Sequence, residues 1–307
     1  MNVLLIGATG YIGTGIDEAL RARGHHTLGV ARSDDAKARL AARGTESVDA
    51  DLERPHSILA AARSADAVIW AAQVTDDETF RVESNALAAL AAGLAQSGKA
   101  FVYCSGCWVY GDTGNAVADE TFPLNPAELV ARRPQLEQIV LDAAAHGVRA
   151  IVVRPGLVYG RGAGVPAMLV ESARERKAAT IVGDGTNHWP VVGVGDLGDL
   201  FALAAEKAAA GSIYNGTDDT AFTVREIAEA ASRGAGAGGA TTLMPRETAI
   251  GVLGEFGDAL MLDQRLTSQK ARKELGWAPK AASILEDIER GSYTAANVVS
   301  EVLTGED

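Results

Sequence analysis

Short apolar runs alternate along the first half of the chain with longer segments whose apolar residues recur at helical spacing. The runs NVLLIG, HTLGVA, AVIWAA, AFVYCSG and RAIVVRPG lack polar alternation, which is typical of strands covered on both faces of a parallel sheet. The segments between them predict helices over about Tyr11–Arg23, Asp34–Ala42, Asn85–Gln96 and Pro134–His146. Because parallel strands joined by helices cross over right-handedly, this order predicts a doubly wound α/β sheet.

The rhythm changes after about residue 160, where helical segments dominate. The predicted helices cover Val165–Lys177, Asp196–Ala210, Val224–Ser232 and Ser268–Glu274. This half predicts a smaller, mostly helical lobe over residues 161–307, with the segment from about 180 to 215 contributing to the main sheet. The glycine-rich segment RGAGAGGATT, residues 233–242, is predicted to be a surface loop.

A glycine-rich turn joins the first predicted strand to the first predicted helix. LLIGATGYIGTGI places Gly7, Gly10 and Gly13 at GxxGxxG spacing, between an apolar strand and a helix. Glycines there let the backbone approach a diphosphate, which then lies at the positive end of the helix. The alternative is a tight turn without a ligand. The structural context favours a dinucleotide-binding Rossmann domain over residues 1–160.

The end of the second predicted strand bears on the choice of dinucleotide. An NAD-binding protein usually has a carboxylate at this point, whereas this strand ends in GVARSDD, with Arg32 and Ser33 at the decisive positions. A guanidinium and a hydroxyl are suited to a 2′-phosphate, which a carboxylate would repel. We therefore expect NADP, with NAD as the alternative if Arg32 lies idle on the surface and Asp34 or Asp35 reaches the ribose.

The amino-acid composition limits the kinds of molecule that the protein is expected to bind. The 307 residues include 28 basic and 40 acidic side chains, a formal net charge of −12, and no basic cluster that would suit nucleic acid. No apolar run approaches the ~20 residues of a membrane span. The two cysteines exclude a disulfide framework, and the chain opens on a strand without the features of a signal peptide. We expect a cytoplasmic protein that acts on a small molecule.

Several motifs together carry a family resemblance. GATGYIG, DADLERP, FVYCSGCWVYG, VVRPGLVYGRG and SQKARKELGWAP make the chain similar to the NAD-dependent epimerase/dehydratase family, the extended short-chain dehydrogenases/reductases. The resemblance implies a homodimer formed through the fourth and fifth long helices. It also implies a cofactor site formed, besides Arg32 and Ser33, by Gly7, Thr9, Gly10, Tyr11, Ile12, Gly13, Asp51, Leu52, Ala71, Ala72, Gln73, Asn85, Cys104, Ser105, Arg133, Pro155, Gly156 and Val158.

The catalytic positions of that family are replaced in this chain. The family uses a serine or threonine, a tyrosine and a lysine; alignment puts Gly106, Leu129 and Arg133 at these positions, with Ser105 just before the first. Leucine transfers no proton, and an arginine stays charged, so that it positions an anion without shuttling protons. The usual ketone–alcohol mechanism, in which the lysine lowers the pKa of the tyrosine, is therefore not available.

Four interpretations remain open at this point. Another group supplies the proton, with Cys107, Tyr159 and His188 as candidates; or the acceptor is already activated, as an iminium is. Alternatively, the reaction is a redox-neutral isomerisation, epimerisation or dehydration, or the protein is a non-catalytic cofactor sensor or scaffold. We favour an NADP(H)-dependent oxidoreductase of the extended short-chain type that acts on a small organic substrate.

Two features have plain structural alternatives. Cys104 and Cys107 form C-x-x-C, but no second pair completes a zinc site, and packing in a buried strand explains Cys104. Cys107 is the better candidate for a reactive thiol because the strand ends there. Arg133 either holds a ribose or a substrate, or forms a surface ion pair with Glu137 four residues on.

Overall fold

The protein is an α/β structure in the computed structural model, which describes residues 1–72 and 77–294. The strands are β1 (Asn2–Ile6), β2 (His26–Val30), β3 (Glu46–Val48), β4 (Ala67–Trp70), β5 (Ala100–Cys104), β6 (Val117–Ala118), β7 (Arg149–Pro155), β8 (Leu157–Tyr159), β9 (Ala179–Val182), β10 (His188–Trp189), β11 (Val191–Gly193), β12 (Ser212–Gly216), β13 (Phe222–Thr223), β14 (Thr241–Met244) and β15 (Arg265–Leu266).

The helices connect and cover these strands. They are α1 (Tyr11–Ala22), α2 (Asp34–Ala42), α3 (Pro55–Ser64), α4 (Asp77–Gly93), α5 (Arg133–Asp142), α6 (Val165–Arg176), α7 (Val194–Lys207), α8 (Val224–Gly234), α9 (Arg246–Leu253), α10 (Glu255–Ala259), α11 (Gln269–Leu275) and α12 (Ile284–Arg290). Short 3-10 turns occupy Cys107–Tyr110, Glu128–Val130 and Ala143–His146. In the described parts of the chain, no helix is both long and apolar enough to cross a bilayer.

The main sheet has seven parallel strands in the order β12-β7-β5-β4-β1-β2-β3. From β1 the chain adds β2 and β3 on one side and then β4, β5, β7 and β12 on the other. This change of side confirms the predicted doubly wound fold. Every residue of β4 and β5 is buried, as the unbroken apolar runs predicted. The edge strand β12 comes from the second half of the chain and pairs with β7 from Ser212 to Gly216.

Helices cover both faces of the sheet. On one face, the backbones of α1 and α7 are in direct contact. A Cβ atom on Gly198 would lie only 2.2 Å from the carbonyl oxygen of Gly15. The other face is covered by α3, α4 and α5, whose buried side chains form a core with Trp70, Phe101 and Tyr103. The carboxyl ends of the central strands are thereby left as the edge at which a ligand site can form.

The smaller lobe has its own apolar core. It is built on α6, α8 and α12, which pack around the parallel pair β9 and β14. The prediction of a loop over residues 233–242 was wrong at both ends: α8 continues to Gly234, and β14 begins at Thr241. Pairing of Thr241 and Thr242 with β9 decides the second boundary, and such non-local pairing leaves no signal in a glycine-rich segment.

Most predicted helices are present with small shifts at their ends. The prediction of a helix beginning at Asn85 was wrong, because α4 begins eight residues earlier, at Asp77. The polar first turns of that helix, DETFRVES, hide its periodicity in the sequence. The helix predicted over Pro134–His146 is divided into α5 and a closing 3-10 turn, ended by Gly147 in the left-handed conformation.

Candidate functional site

The turn between β1 and α1 needs two of its three glycines for the fold itself. Gly7 has a φ of +86°, and a Cβ atom there would lie 2.5 Å from the amide nitrogen of Ala72. A Cβ atom on Gly13 would lie 1.9 Å from the carbonyl oxygen of Gly7. These glycines are required by the close approach of the chain to itself, and they place the first turn of α1 against β1 and the end of β4.

Gly10 is different, because no contact with the described residues requires it to be glycine. Its φ is −75°, it is exposed, and a Cβ atom would meet only the carbonyl oxygen of Gly7, at 3.4 Å. It is the N-cap of α1, where no side chain caps the helix and no acidic residue lies in the first turn. Open backbone before the uncapped amides of Tyr11 and Ile12 fits a dinucleotide diphosphate.

The predicted 2′-phosphate residues lie at the start of α2. Arg32 is exposed, and Ser33 caps α2 by accepting a hydrogen bond from the amide of Ala36 at 3.1 Å. Arg43 is a third polar residue on this side, and no motif in the sequence indicated it. Its guanidinium donates to the carbonyl of Ala8 at 2.8 Å and to the hydroxyl of Thr14, which places a cation beside the glycine-rich turn.

Further predicted cofactor residues lie after β3, after β4 and on α4. Asp51 and Leu52 are half-buried beyond β3, and Ala71 and Ala72 follow β4 against Gly7. Gln73 lies outside the described residues. Asn85 is exposed on α4, whereas Glu83 on the same helix is 1% exposed and accepts a hydrogen bond from the hydroxyl of Tyr103 on β5. Helical geometry separates these two positions, and the sequence alone did not indicate which of them faces inward.

A pocket of about 130 Å³ lies beside the N-terminus of α1. Its lining, among the described residues, comes from Ile12, from residues 105–109 after β5, from Val130 and Arg133, and from residues 155–158 at the junction of β7 and β8. Thus the predicted Ile12, Ser105, Cys107, Arg133, Pro155, Gly156 and Val158 share one pocket. Its walls are mostly apolar, and Arg133 is the only charged side chain among these lining residues.

Arg133 is buried at the start of α5, with 8% of its surface exposed. Helix α5 begins at Arg133 and has Pro134 in its first turn, the one part of a helix that accepts proline readily. Leu129 lies in a separate 3-10 turn, and it is the neighbouring Val130 that lines the pocket. The residue beside Leu129 therefore presents an aliphatic side chain to the pocket.

The surface ion pair considered for Arg133 and Glu137 is not present. Glu137 is buried, accepts from Nε of Arg154 at 3.0 Å and from its second terminal nitrogen at 2.6 Å, and also accepts a hydrogen bond from Ser105. Arg154 donates further to the Tyr110 hydroxyl at 2.9 Å. Within this network the hydroxyl of Ser105 is hydrogen-bonded to the buried carboxylate of Glu137.

The three candidate proton donors are placed unfavourably for that role. Burial raises the pKa of the Cys107 thiol to about 12, as it does for Cys104, so that both remain protonated and unreactive. Tyr159 donates to the carbonyl of Ala282 at 2.7 Å, and burial raises its pKa. His188 is held by Asp263 at 2.9 Å. Of these three candidates only Cys107 lines the described pocket.

Comparison with known proteins identifies the class. Residues 3–215 match the NAD dependent epimerase/dehydratase family. An uncharacterised protein of Saccharomyces cerevisiae is 30% identical over 96% of this chain and 99% of its own. A 3-diazoavenalumate denitrifying reductase of a Streptomyces species is 30% identical over 91% of this chain and 96% of its own.

The structure of Thermus thermophilus UDP-glucose 4-epimerase in complex with NAD superposes with a TM-score of 0.78 at 24% identity, covering 97% of this chain and all of that one (100%). The chain belongs to the NAD-dependent epimerase/dehydratase family. It is an NAD(P)-dependent enzyme of that family.

Proposed function

We propose that this enzyme is an NADP(H)-dependent oxidoreductase whose small organic substrate is already electron-deficient at the reacting carbon, as an iminium or a diazonium ion is. When bound, the reduced nicotinamide supplies a hydride. A cationic acceptor becomes neutral on taking up hydride, so its reduction needs no proton from the protein. A pocket whose described lining holds no general acid can meet this requirement.

The observation that carries the proposal is the chemistry of the pocket lining. Within the described lining, the hydroxyl of Ser105 is bound to Glu137, the Cys107 thiol has a pKa of about 12, and Arg133 does not release its proton. General acid catalysis works best when the pKa of the donor lies near the working pH. None of these three groups meets that condition.

The residues that would hold the cofactor follow from the same site. Gly10 and the first amides of α1 would receive the diphosphate, and Arg32 with Ser33 would receive the 2′-phosphate of NADP. Exposure of Arg32 and the absence of a carboxylate at its position support NADP over NAD. The wall formed by residues 155–158 and Trp108 would exclude water from the reacting carbon.

One relative supports the class of reaction. The Streptomyces relative is named as a reductase that denitrifies 3-diazoavenalumate. When hydride replaces the nitrogen of a diazonium carbon, a C–H bond forms, the C–N bond breaks and N2 leaves with the bonding electrons. Hydride alone then balances the charge, and a pocket whose described lining holds no group suited to general acid catalysis supports this type of chemistry.

The test is a comparison of two acceptors of the same bicyclic shape. The purified enzyme is given NADPH deuterated at the transferable position, with either an N-methyl dihydroisoquinolinium ion or the ketone tetralone. We expect loss of the reduced-nicotinamide absorbance and deuterium in the product with the iminium only. Reduction of the ketone at an equal or higher rate would refute the proposal, since a ketone needs a proton.

Two controls separate the alternatives. Gly10→Ala enzyme, which we expect to fold but not to bind the cofactor, should give no deuterated product with either acceptor. With a benzenediazonium salt as the third acceptor, formation of N2 with one deuterium in the arene would extend the proposal to that class. An unchanged nicotinamide absorbance while a substrate is converted would favour a redox-neutral reaction.

A further inference from the structure

Arg133 is a buried cation at an apolar pocket, and its polar contacts within the protein are weak. One terminal nitrogen lies 3.4 Å from the hydroxyl of Tyr103 and 3.5 Å from the carbonyl oxygen of Cys104. Both distances are at the long limit of hydrogen bonding, and both acceptors are neutral. A guanidinium has five N–H donors, so most of its hydrogen-bonding capacity is not explained by these two contacts.

Neither neighbouring carboxylate is hydrogen-bonded to Arg133. Glu137 is committed to Arg154 and Ser105, as described above. Glu83 is 1% exposed, accepts from the hydroxyl of Tyr103 at 3.1 Å, and leaves its second oxygen without a partner. Burial raises the pKa of Glu83, and the charge of Arg133 only partly opposes that effect. Glu83 thus acts on Arg133 only through space, and no carboxylate of the described residues forms an ion pair with the Arg133 guanidinium.

A buried cation without a matched anion is costly, whereas one that forms a bidentate pair with a carboxylate is well satisfied. The pocket is otherwise lined by apolar groups such as Ile12, Val130 and Leu157, together with Trp108. This combination suits a small molecule with an apolar body and one anionic end. A phosphate dianion would call for a second cation, and Arg133 is the only one among the described lining residues.

We propose that Arg133 binds a carboxylate of the substrate, so that the enzyme acts on small, largely apolar carboxylic acids. This inference rests on the proposed oxidoreductase function, because it names the substrate class for the same pocket. The planar fork of Arg133 fixes the acid at one end of the pocket and thereby orients the rest of the molecule. The carboxylate also offsets the charge of Arg133, which favours an electron-deficient carbon in the pocket without being required for it.

The test uses benzoate and cinnamate as probes, each compared with its uncharged amide, benzamide and cinnamamide. Binding to the NADPH-loaded enzyme is measured by calorimetry, which does not depend on turnover. We expect each carboxylate to bind at least about tenfold more tightly than its amide, from the greater strength of charge-assisted hydrogen bonds. Equal binding of acid and amide would overturn the inference without any variant.

Variants then assign the preference to one side chain. Arg133→Met should abolish it, Arg133→Lys should keep part of it, and Arg132→Met, which removes an exposed cation from the adjacent position, should leave it unchanged. The dissociation constant of NADPH should change less than about threefold in all three. Thermal unfolding of each variant identifies any that fails to fold; Arg133→Lys keeps the test decisive if Arg133→Met does.

Two outcomes distinguish the inference from the function on which it rests. If Arg133→Met weakens NADPH binding and leaves the acid–amide preference intact, Arg133 holds the cofactor and the inference is wrong. If the acid–amide preference depends on Arg133 but no acceptor takes up deuterium, the carboxylate site stands and only the oxidoreductase proposal fails.

Discussion

Arg154 donates two hydrogen bonds to Glu137 in a bidentate pair, and both side chains are 3% exposed. The pair joins β7 to α5 beneath the pocket, and it holds Glu137 where Ser105 donates to it. Because Arg154 also contacts the ring and hydroxyl of Tyr110, the pair helps to order the segment after β5, residues 105–109, that lines the pocket. The shape of the pocket thus depends on an ion pair that does not line it.

Removal of one charge from this pair should be strongly destabilising. Glu137→Gln leaves Arg154 buried without its anion, and we expect a loss of about 3 kcal/mol in the free energy of unfolding. Urea unfolding followed by far-UV circular dichroism measures it. Asp258→Asn is the matched control, because it breaks the exposed pair with Arg246 and should cost less than about 1 kcal/mol. Equal losses would show that burial of the pair is unimportant.

The glycine-rich turn predicts opposite effects for two similar substitutions. Gly10→Ala introduces a methyl group that makes only an ordinary contact, with the carbonyl oxygen of Gly7 at 3.4 Å, so the free energy of unfolding should fall by no more than about 1 kcal/mol, a helix N-cap effect. Binding of NADPH should be lost, because the methyl group occupies the approach to the diphosphate. Gly13→Ala places its methyl group 1.9 Å from the carbonyl oxygen of Gly7 and should instead impair folding.

Calorimetric titration of NADPH and thermal unfolding of the two variants check this pair of expectations. A stable Gly10→Ala protein that binds NADPH as well as the wild type does would remove the diphosphate from this turn.

Arg32 should decide between the two nicotinamide cofactors. Arg32→Ala removes a charge-assisted contact to the 2′-phosphate, so the dissociation constant of NADPH should rise by roughly ten- to a hundredfold while that of NADH changes little. Titration followed by nicotinamide fluorescence measures both constants. Arg39→Ala is the control, since Arg39 lies on α2, the helix that follows Arg32, but pairs with Asp35. Equal losses for NADPH and NADH would exclude Arg32 as the phosphate ligand.

A pH effect on stability should arise where α7 meets the end of α1. Hydrogen bonding from Arg23 lowers the pKa of Glu206 from 4.5 to about 2, with a further contribution from His25. A carboxyl whose pKa is lower in the folded protein stabilises it above the ordinary pKa, and this contribution disappears as the pH falls from about 4.5 to about 2. Solvent screening keeps it below about 1 kcal/mol.

Glu206→Gln should therefore lower the melting temperature at pH 7 by a few degrees at most, and the difference from wild type should close as the pH approaches 2. Glu53→Gln, which alters an exposed glutamate, should show no such trend. A difference that stays constant between pH 7 and pH 2 would mean that the ion pair is not its cause.

The buried strands and the glycine-rich turn could be predicted from the sequence. The unbroken apolar runs predicted buried parallel strands, and the structure confirms the doubly wound sheet. The spacing of Gly7, Gly10 and Gly13 predicted the turn before α1. At Gly7 and Gly13 the close approach of the chain to itself leaves no room for a Cβ atom. These features depend on residues near one another in the chain, where hydrophobic period and steric limits act directly.

Only the tertiary structure decided what surrounds Arg133. The i,i+4 spacing suggested an ion pair with Glu137, but Arg154, 17 residues further on, takes that carboxylate across the fold. Burial of the Cys107 thiol, and the neighbourhood of Glu83 on another helix, likewise depend on how helices pack onto the sheet. A pKa or a choice of partner is set by solvent exclusion and by charges brought together through space, and neither is encoded in the spacing along one segment.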